Sequence, residues 1–322
     1  MRKGCEIAFI CLMSIFVCSG WGQAPGAPGD QTKGTDSGLE DIRSLLMQHR
    51  FSVAEQSLHR YLELHPESAS AHFLLGYTLF SEQKAAASLA EYTSGARYRK
   101  PSAEDLMAIA ADYILLNDNE DADKWLTEVT RLQPENALAW YYLGRARFYE
   151  SRYGEAASIF LTCLRLNPRD ARAETNLGLA YKEMGKESDA IAAYQTAIKW
   201  EEEAGSKDAQ PYLDLGSLLR RDEKVKESLY YLEKAVANEP SNPKTHEELG
   251  RAYEALHRNN DAERELRKAI ALSPEASSLH YTLGHILKAE GLETEAAQEF
   301  AITSQLNGTH SSKEVPNLEV PK

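Results

Sequence analysis

The chain has 322 residues, of which 43% are hydrophobic and 26% charged, and its formal net charge is −13. An acidic shell of that size argues against nucleic acid or an anionic membrane as a general partner. At the N-terminus, Arg2 and Lys3 precede an apolar run from Ile7 to Cys18 and then small residues, the layout of a secretory signal over 1–22. The run is shorter than the roughly 20 residues that span a bilayer. The expectation is cleavage after Gly20 or Gly22 and an exported protein, periplasmic or secreted, with no membrane insertion once the leader is gone. Lipidation at Cys18 and retention as an anchor are the alternatives, and Val17 stands where a lipidation site has a small residue. The Pro/Gly-rich stretch 23–37 reads as a flexible linker. Cys5, Cys11 and Cys18 lie in the leader, so Cys163 is the one cysteine left, expected to be a buried packing residue with no disulfide.

Beyond the linker the chain keeps a beat. Gly76, Gly144, Gly178, Gly216, Gly250 and Gly284 each follow a leucine, most of them at steps of 34 residues or a multiple of it, and Ala110 fills the missing place. If these are position 8 of a unit, position 20 is small throughout: Ala54, Ser88, Ala122, Ala156, Ala190, Ser228, Ala262 and Ala296. Position 24 is large: Leu58, Tyr92, Leu126, Phe160, Tyr194, Leu232, Leu266 and Phe300. Pro66, Pro134, Pro168, Pro240 and Pro274 mark position 32, where a helix ends and the next begins. Such a period signals stacked helix pairs, neither helix able to bury its apolar face alone. Small residues at 8 and 20 let the two helices of a unit approach, and the large residue at 24 is expected to fill the space toward the next unit.

The units run 35–68, 69–102, 103–136, 137–170, 171–208, 209–242, 243–276 and 277–310, a repeat domain over 38–310 with a disordered tail expected at 311–322. Ile42 replaces the small residue in the first. The fifth carries four extra residues, read as a longer second helix ending in the acidic turn at Glu201, Glu202 and Glu203. In the last helix Thr303, Ser304 and Gln305 stand where inner units are apolar, which suits a polar cap. Eight units leave no room for a separate catalytic domain.

Leu177, Gly178, Tyr181, Ala190, Tyr194 and Ala197, with Trp140, Leu143 and Gly144 in the preceding unit, resemble the tetratricopeptide repeat pattern. The resemblance implies an all-α, right-handed superhelical solenoid of about eight helix-turn-helix units. It also implies a concave groove lined by positions 2, 5, 9, 12 and 13 of each first helix, where peptide partners lie. Carried over, those positions give an aromatic half with Phe73, Tyr77, Phe80, Met107, Ile114, Leu115, Tyr141, Arg145, Phe148 and Tyr149. The other half is basic, with Arg172, Lys182, Arg220, Arg221, Lys244, Arg251, His285 and Lys288, relieved by Glu183, Glu247 and Glu254. The groove positions sum to about +4 while the remaining mature chain is about −18.

His72, His246 and His280 all fall at position 4 and are structural by position, and no metal motif or phosphate loop is present. The expected function is a non-catalytic scaffold without cofactor or metal, binding a protein or peptide of apolar and acidic character. The alternative is a permanent structural subunit of an envelope assembly, secretion or polysaccharide-export complex. The carboxylate clamp of chaperone-binding repeats is not supplied at Thr175, Leu179, Leu213 and Ser217. The oligomeric state is not encoded in the pattern.

Overall fold

The structure is a computed structural model that describes residues 37–311, with side chains described for 38–308. The expected leader, most of the linker and the tail lie outside the described residues. Among the described residues there are sixteen α-helices and no strand. They fall into two compact units, one ending at Leu166 and one beginning at Asn167.

The first unit holds α1 (Ser37–Met47), α2 (Phe51–Leu64), α3 (Ala69–Ser81), α4 (Ala85–Ala96), α5 (Ala103–Leu115), α6 (Asn119–Leu132), α7 (Ala137–Tyr149) and α8 (Tyr153–Leu166). The second holds α9 (Ala171–Glu183), α10 (Glu187–Ala204), α11 (Gln210–Arg221), α12 (Val225–Asn238), α13 (Pro243–Ala255), α14 (Asn259–Leu272), α15 (Ser277–Ala289) and α16 (Glu293–Ser311). Each odd helix packs mainly on the even helix that follows it, so each unit is four antiparallel hairpins in tandem. The longer α10 ends on Gly205, whose φ of +67° closes the helix in the left-handed conformation.

Two recurring pieces of local chemistry set the hairpins. Between hairpins, the side chains of Ser68, Ser102, Asn136, Asp170 and Asn242 accept from backbone N–H groups of the first helical turn, and Ser102 with Asp105 completes a capping box. Within hairpins, position 15 is left-handed: His49, Gln83, Asn117, Ser151, Gly185, Glu223, His257 and Gly291 all have positive φ. There the N–H of the following residue reaches back to a carbonyl five residues earlier, as in Lys84 to Leu79 at 2.9 Å and Lys186 to Tyr181 at 2.9 Å. That bond closes a Schellman turn.

The core follows the small-small-large pattern, with one correction. A Cβ added at Gly144 would lie 2.6 Å from the Phe160 ring, one at Gly178 2.8 Å from Tyr194, one at Gly216 2.6 Å from Leu232 and one at Gly284 2.7 Å from Phe300. The large residue at position 24 therefore seats on the glycine of its own hairpin, and does not serve mainly to fill the space toward the next one. Close approach of the two helices is visible directly in the first unit, where the Ser88 hydroxyl donates to the Gly76 carbonyl at 2.8 Å. Tyr92, Phe160 and Tyr194 are among the largest fully buried side chains, and each locks its own helix pair.

The remaining expectations resolve residue by residue. Cys163 is buried with its thiol 3.3 Å from the Ala137 carbonyl, a packing position with a weak donor contact. In α16, Ser304 and Gln305 are exposed, but Thr303 is buried and donates to the Glu299 carbonyl at 2.9 Å. The acidic turn is less solvated than its sequence suggests. Glu201 is buried, which pushes its carboxyl up, while Glu202 accepts from the Tyr212 hydroxyl at 3.0 Å and Glu203 pairs with Arg169.

Candidate functional site

The candidate surface is the exposed side of the odd helices, and the structure sorts the expected residues on it. In the first unit Phe73, Phe80, Met107 and Tyr141 are buried, which corrects their reading as open anchors. Phe73 shows the reason: its ring lies against Gly95 and 6.1 Å from the Tyr92 ring centre, and the Arg99 guanidinium covers it at 4.9 Å. Tyr77 and Phe148 are half-buried, as are Ile114 and Leu115, and Tyr149 is 59% exposed. The rings of Phe148 and Tyr149 meet edge to face at 5.8 Å.

Arg145 stands apart. It rises from α7 between Tyr141 and Tyr149, its guanidinium carbon 5.9 Å and 5.8 Å from the two ring centres. Among the described residues it is the half-buried lysine or arginine that has no carboxylate at ion-pair distance.

The basic residues of the second unit are, by contrast, largely neutralised within the fold. Arg220 of α11 pairs with Glu248 of α13 at 2.9 Å, Lys244 reaches Glu247 at 3.0 Å and Glu248 at 3.1 Å, and Arg251 holds Glu247 at 2.8 Å. Burial pushes the Glu248 carboxyl up, but Arg220 and Lys244 outweigh it and hold the carboxyl below its usual range. Arg172 pairs with Asp170 at 3.2 Å and Lys182 with Glu183 at 3.1 Å. Arg221 and Lys288 are exposed and make no ion pair among the described residues. The charge count over positions 2, 5, 9, 12 and 13 missed Glu248, which occupies position 6. Its spacing of four residues from Lys244 was the available signal.

Several expected residues of the second unit do meet. An open cleft of about 680 Å³ is lined by Arg220, Arg251, Glu254 and His285, and also by Tyr281. Tyr281 is 52% exposed and stacks edge to face on His285 with ring centres 4.5 Å apart. It occupies position 5 of the eighth repeat and was overlooked, although the same positional rule selects it. No group of side chains suited to holding a metal ion occurs among the described residues, and none of the described helices is long and apolar enough to cross a membrane.

Tandem helix hairpins, each packed on the next within its unit, define a helical repeat fold. The chain belongs to the tetratricopeptide repeat family: the family pattern matches residues 39–104, 108–171, 144–209, 175–243 and 247–303, well over half of the sequence. Members of this family act as scaffolds for protein–protein interaction.

The chain is 24% identical over 224 residues to anaphase-promoting complex subunit 3 of Schizosaccharomyces pombe, covering 69% of this chain and 33% of that protein. It therefore spans about a third of that relative's length. Among solved structures, a tetratricopeptide repeat protein from Parabacteroides merdae superposes with a TM-score of 0.62 at 18% identity, covering 79% of this chain and 98% of that one. The anaphase-promoting complex hetero-tetramer Cut9-Hcn1 superposes with a TM-score of 0.60 at 17% identity over 86% of this chain and 54% of that one. These likenesses are likenesses of fold.

Proposed function

We propose that this chain is a non-catalytic scaffold of an exported compartment that holds an extended protein segment of apolar and acidic character against its odd helices. Arg145 carries the reading. A half-buried guanidinium has lost part of its hydration, and the fold gives it tyrosine faces but no counter-charge. A partner carboxylate would complete the site with a charge-assisted, bidentate contact, and the exposed Tyr149 ring beside it offers apolar area at low entropic cost. The export part of the proposal rests on the leader-like sequence at 1–22.

Arg145→Glu is expected to weaken retention of envelope proteins in a pulldown by tenfold or more, an effect of the order of 1.4 kcal/mol. Arg220→Glu is expected to affect stability first, because it replaces one of the cations that pair with the buried Glu248 by a like charge. Equal capture by wild type and Arg145→Glu would rule the anchor out.

A permanent structural subunit of a larger assembly is the second reading, favoured by likeness to a protein named as a complex subunit. Such a subunit would co-purify stoichiometrically at 1 M salt, where the Debye length falls to about 3 Å. Peptide capture through Arg145 would be lost under the same conditions.

A further inference from the structure

The site on α7 calls for a carboxylate at Arg145 and an apolar neighbour at Tyr149, and one stretch of this same chain carries both together. Residues 312–322 read SKEVPNLEVPK, so Glu-Val-Pro occurs twice, at Glu314, Val315 and Pro316 and again at Glu319, Val320 and Pro321. Leu318 lies between the two copies. In the linker, by contrast, Asp30 and Asp36 stand among glycine, glutamine, threonine and serine, with no large apolar residue beside them. Many carboxylates of the helices are already tied to a nearby cation, such as Glu128 to Arg131 at 2.7 Å and Glu263 to Arg267 at 2.6 Å.

Each part of the motif has a counterpart on α7. A glutamate offers two acceptor oxygens in the planar arrangement that a guanidinium matches bidentately, and Arg145 has no carboxylate at ion-pair distance among the described residues. Proline disfavours helix at the valine before it, and proline-containing segments dock on aromatic side chains with little backbone freedom left to lose. Tyr149, 59% exposed and held edge to face against Phe148 at 5.8 Å, presents such a surface. Lys313 and Lys322 balance the two glutamates, so the segment meets a chain of net charge −13 without the repulsion that a purely acidic ligand would feel.

We propose that the Arg145–Tyr149 site of one copy takes residues 314–321 of a second copy, linking the chain to itself head to tail. This rests on the reading of Arg145 as an anchor for acidic segments and names a resident ligand for that anchor. A segment of one copy in the site of the next is a heterologous contact, which adds copies in series unless the rotation closes a ring. Two equivalent motifs compete for one site, so either alone supports binding at about half the statistical weight. Foreign segments are then taken up only by displacing the resident one.

Sedimentation equilibrium of the protein purified from its host, at concentrations up to about 1 mM, reads the association directly. Wild type is expected to gain mass with concentration. Arg145→Glu, and separately the pair Glu314→Lys and Glu319→Lys in one chain, are each expected to weaken association tenfold or more, whereas Glu314→Gln alone costs about twofold. An equimolar mixture of the two charge-reversed proteins is expected to regain mass, because each site then meets a segment of opposite charge. The glutamate pair changes no residue of the helices, so its loss of association is not a loss of folding. A wild type that stays monomeric, association untouched by either reversal, or a mixture that stays monomeric overturns the proposal. The wider reading of Arg145 fails on a different result, equal capture of envelope proteins by wild type and Arg145→Glu.

Discussion

Replacing Asp112 with alanine is expected to stabilise the protein by as much as about 4 kcal/mol at pH 8 and by far less at pH 4. Asp112 of α5 is fully buried, and neither carboxylate oxygen has a hydrogen-bond partner. Ser88 is its neighbour, but that hydroxyl's single proton goes to the Gly76 carbonyl. Burial consequently pushes the Asp112 carboxyl up to about 7.

An unfolded aspartate titrates near 3.9, so between about pH 4 and 7 the unfolded chain gives up a proton that the native state retains. Native stability falls over that window by about 1.4 kcal/mol per pH unit. The equivalent position in three other repeats is alanine, Ala146, Ala180 and Ala252, all buried, so alanine fits the site. Urea unfolding midpoints at pH 4.5, 6 and 8 check this. Convergence of wild type and variant toward acid pH is the expected pattern, and parallel profiles would refute it.

The second large effect is steric. Gly144→Val is expected to cost about 3 kcal/mol of stability, because even a Cβ there would fall 2.6 Å from the fully buried Phe160 ring. Gly144→Ala gains up to about 1 kcal/mol of helix propensity but meets the same ring, and a net loss of about 1–2 kcal/mol is expected. The third repeat contains the remedy, since Ala110 there is matched with Leu126. Adding Phe160→Leu to Gly144→Ala is therefore expected to recover stability relative to the sum of the two single changes, with a coupling of about 1 kcal/mol or more. Additive energies would mean that the glycine and the ring are not partners.

Much of this contact was legible in the sequence and one part was misread. A 34-residue beat shows which residues are small and which are large, so Gly144, Ala156 and Phe160 could be placed on facing helices without a structure. It does not say toward which neighbour a long side chain leans. The ring of Phe160 covers its own glycine because side chains on a helix tilt toward its N-terminus.

The turns escaped the reading for a different reason. Six of the eight left-handed residues at position 15 are not glycine, so the usual compositional mark is missing at His49, Gln83, Asn117, Ser151, Glu223 and His257.

The surface was less legible than the core. Position 5 selects both Phe73 and Tyr281, yet one is buried and the other 52% exposed. That difference depends on what the neighbouring helices contribute, such as Gly95 and Arg99 around Phe73. Charge behaved likewise. The basic positions sum to a positive field, but Glu247 and Glu248 tie three of them, Arg220, Lys244 and Arg251, into a local network. Arg145 is set apart only by the ion pairs that the other half-buried cations make.

The central claim, capture of an acidic segment at Arg145, is tested most directly by a photo-crosslinking residue placed at Tyr149 in the full chain, expressed in its own host. The account predicts crosslinks to a partner segment containing aspartate or glutamate, abolished by Arg145→Glu and by high salt, and absent when the probe is moved to Tyr230, an exposed residue of α12. Crosslinks equally strong from Tyr230, or unchanged by Arg145→Glu, would contradict it.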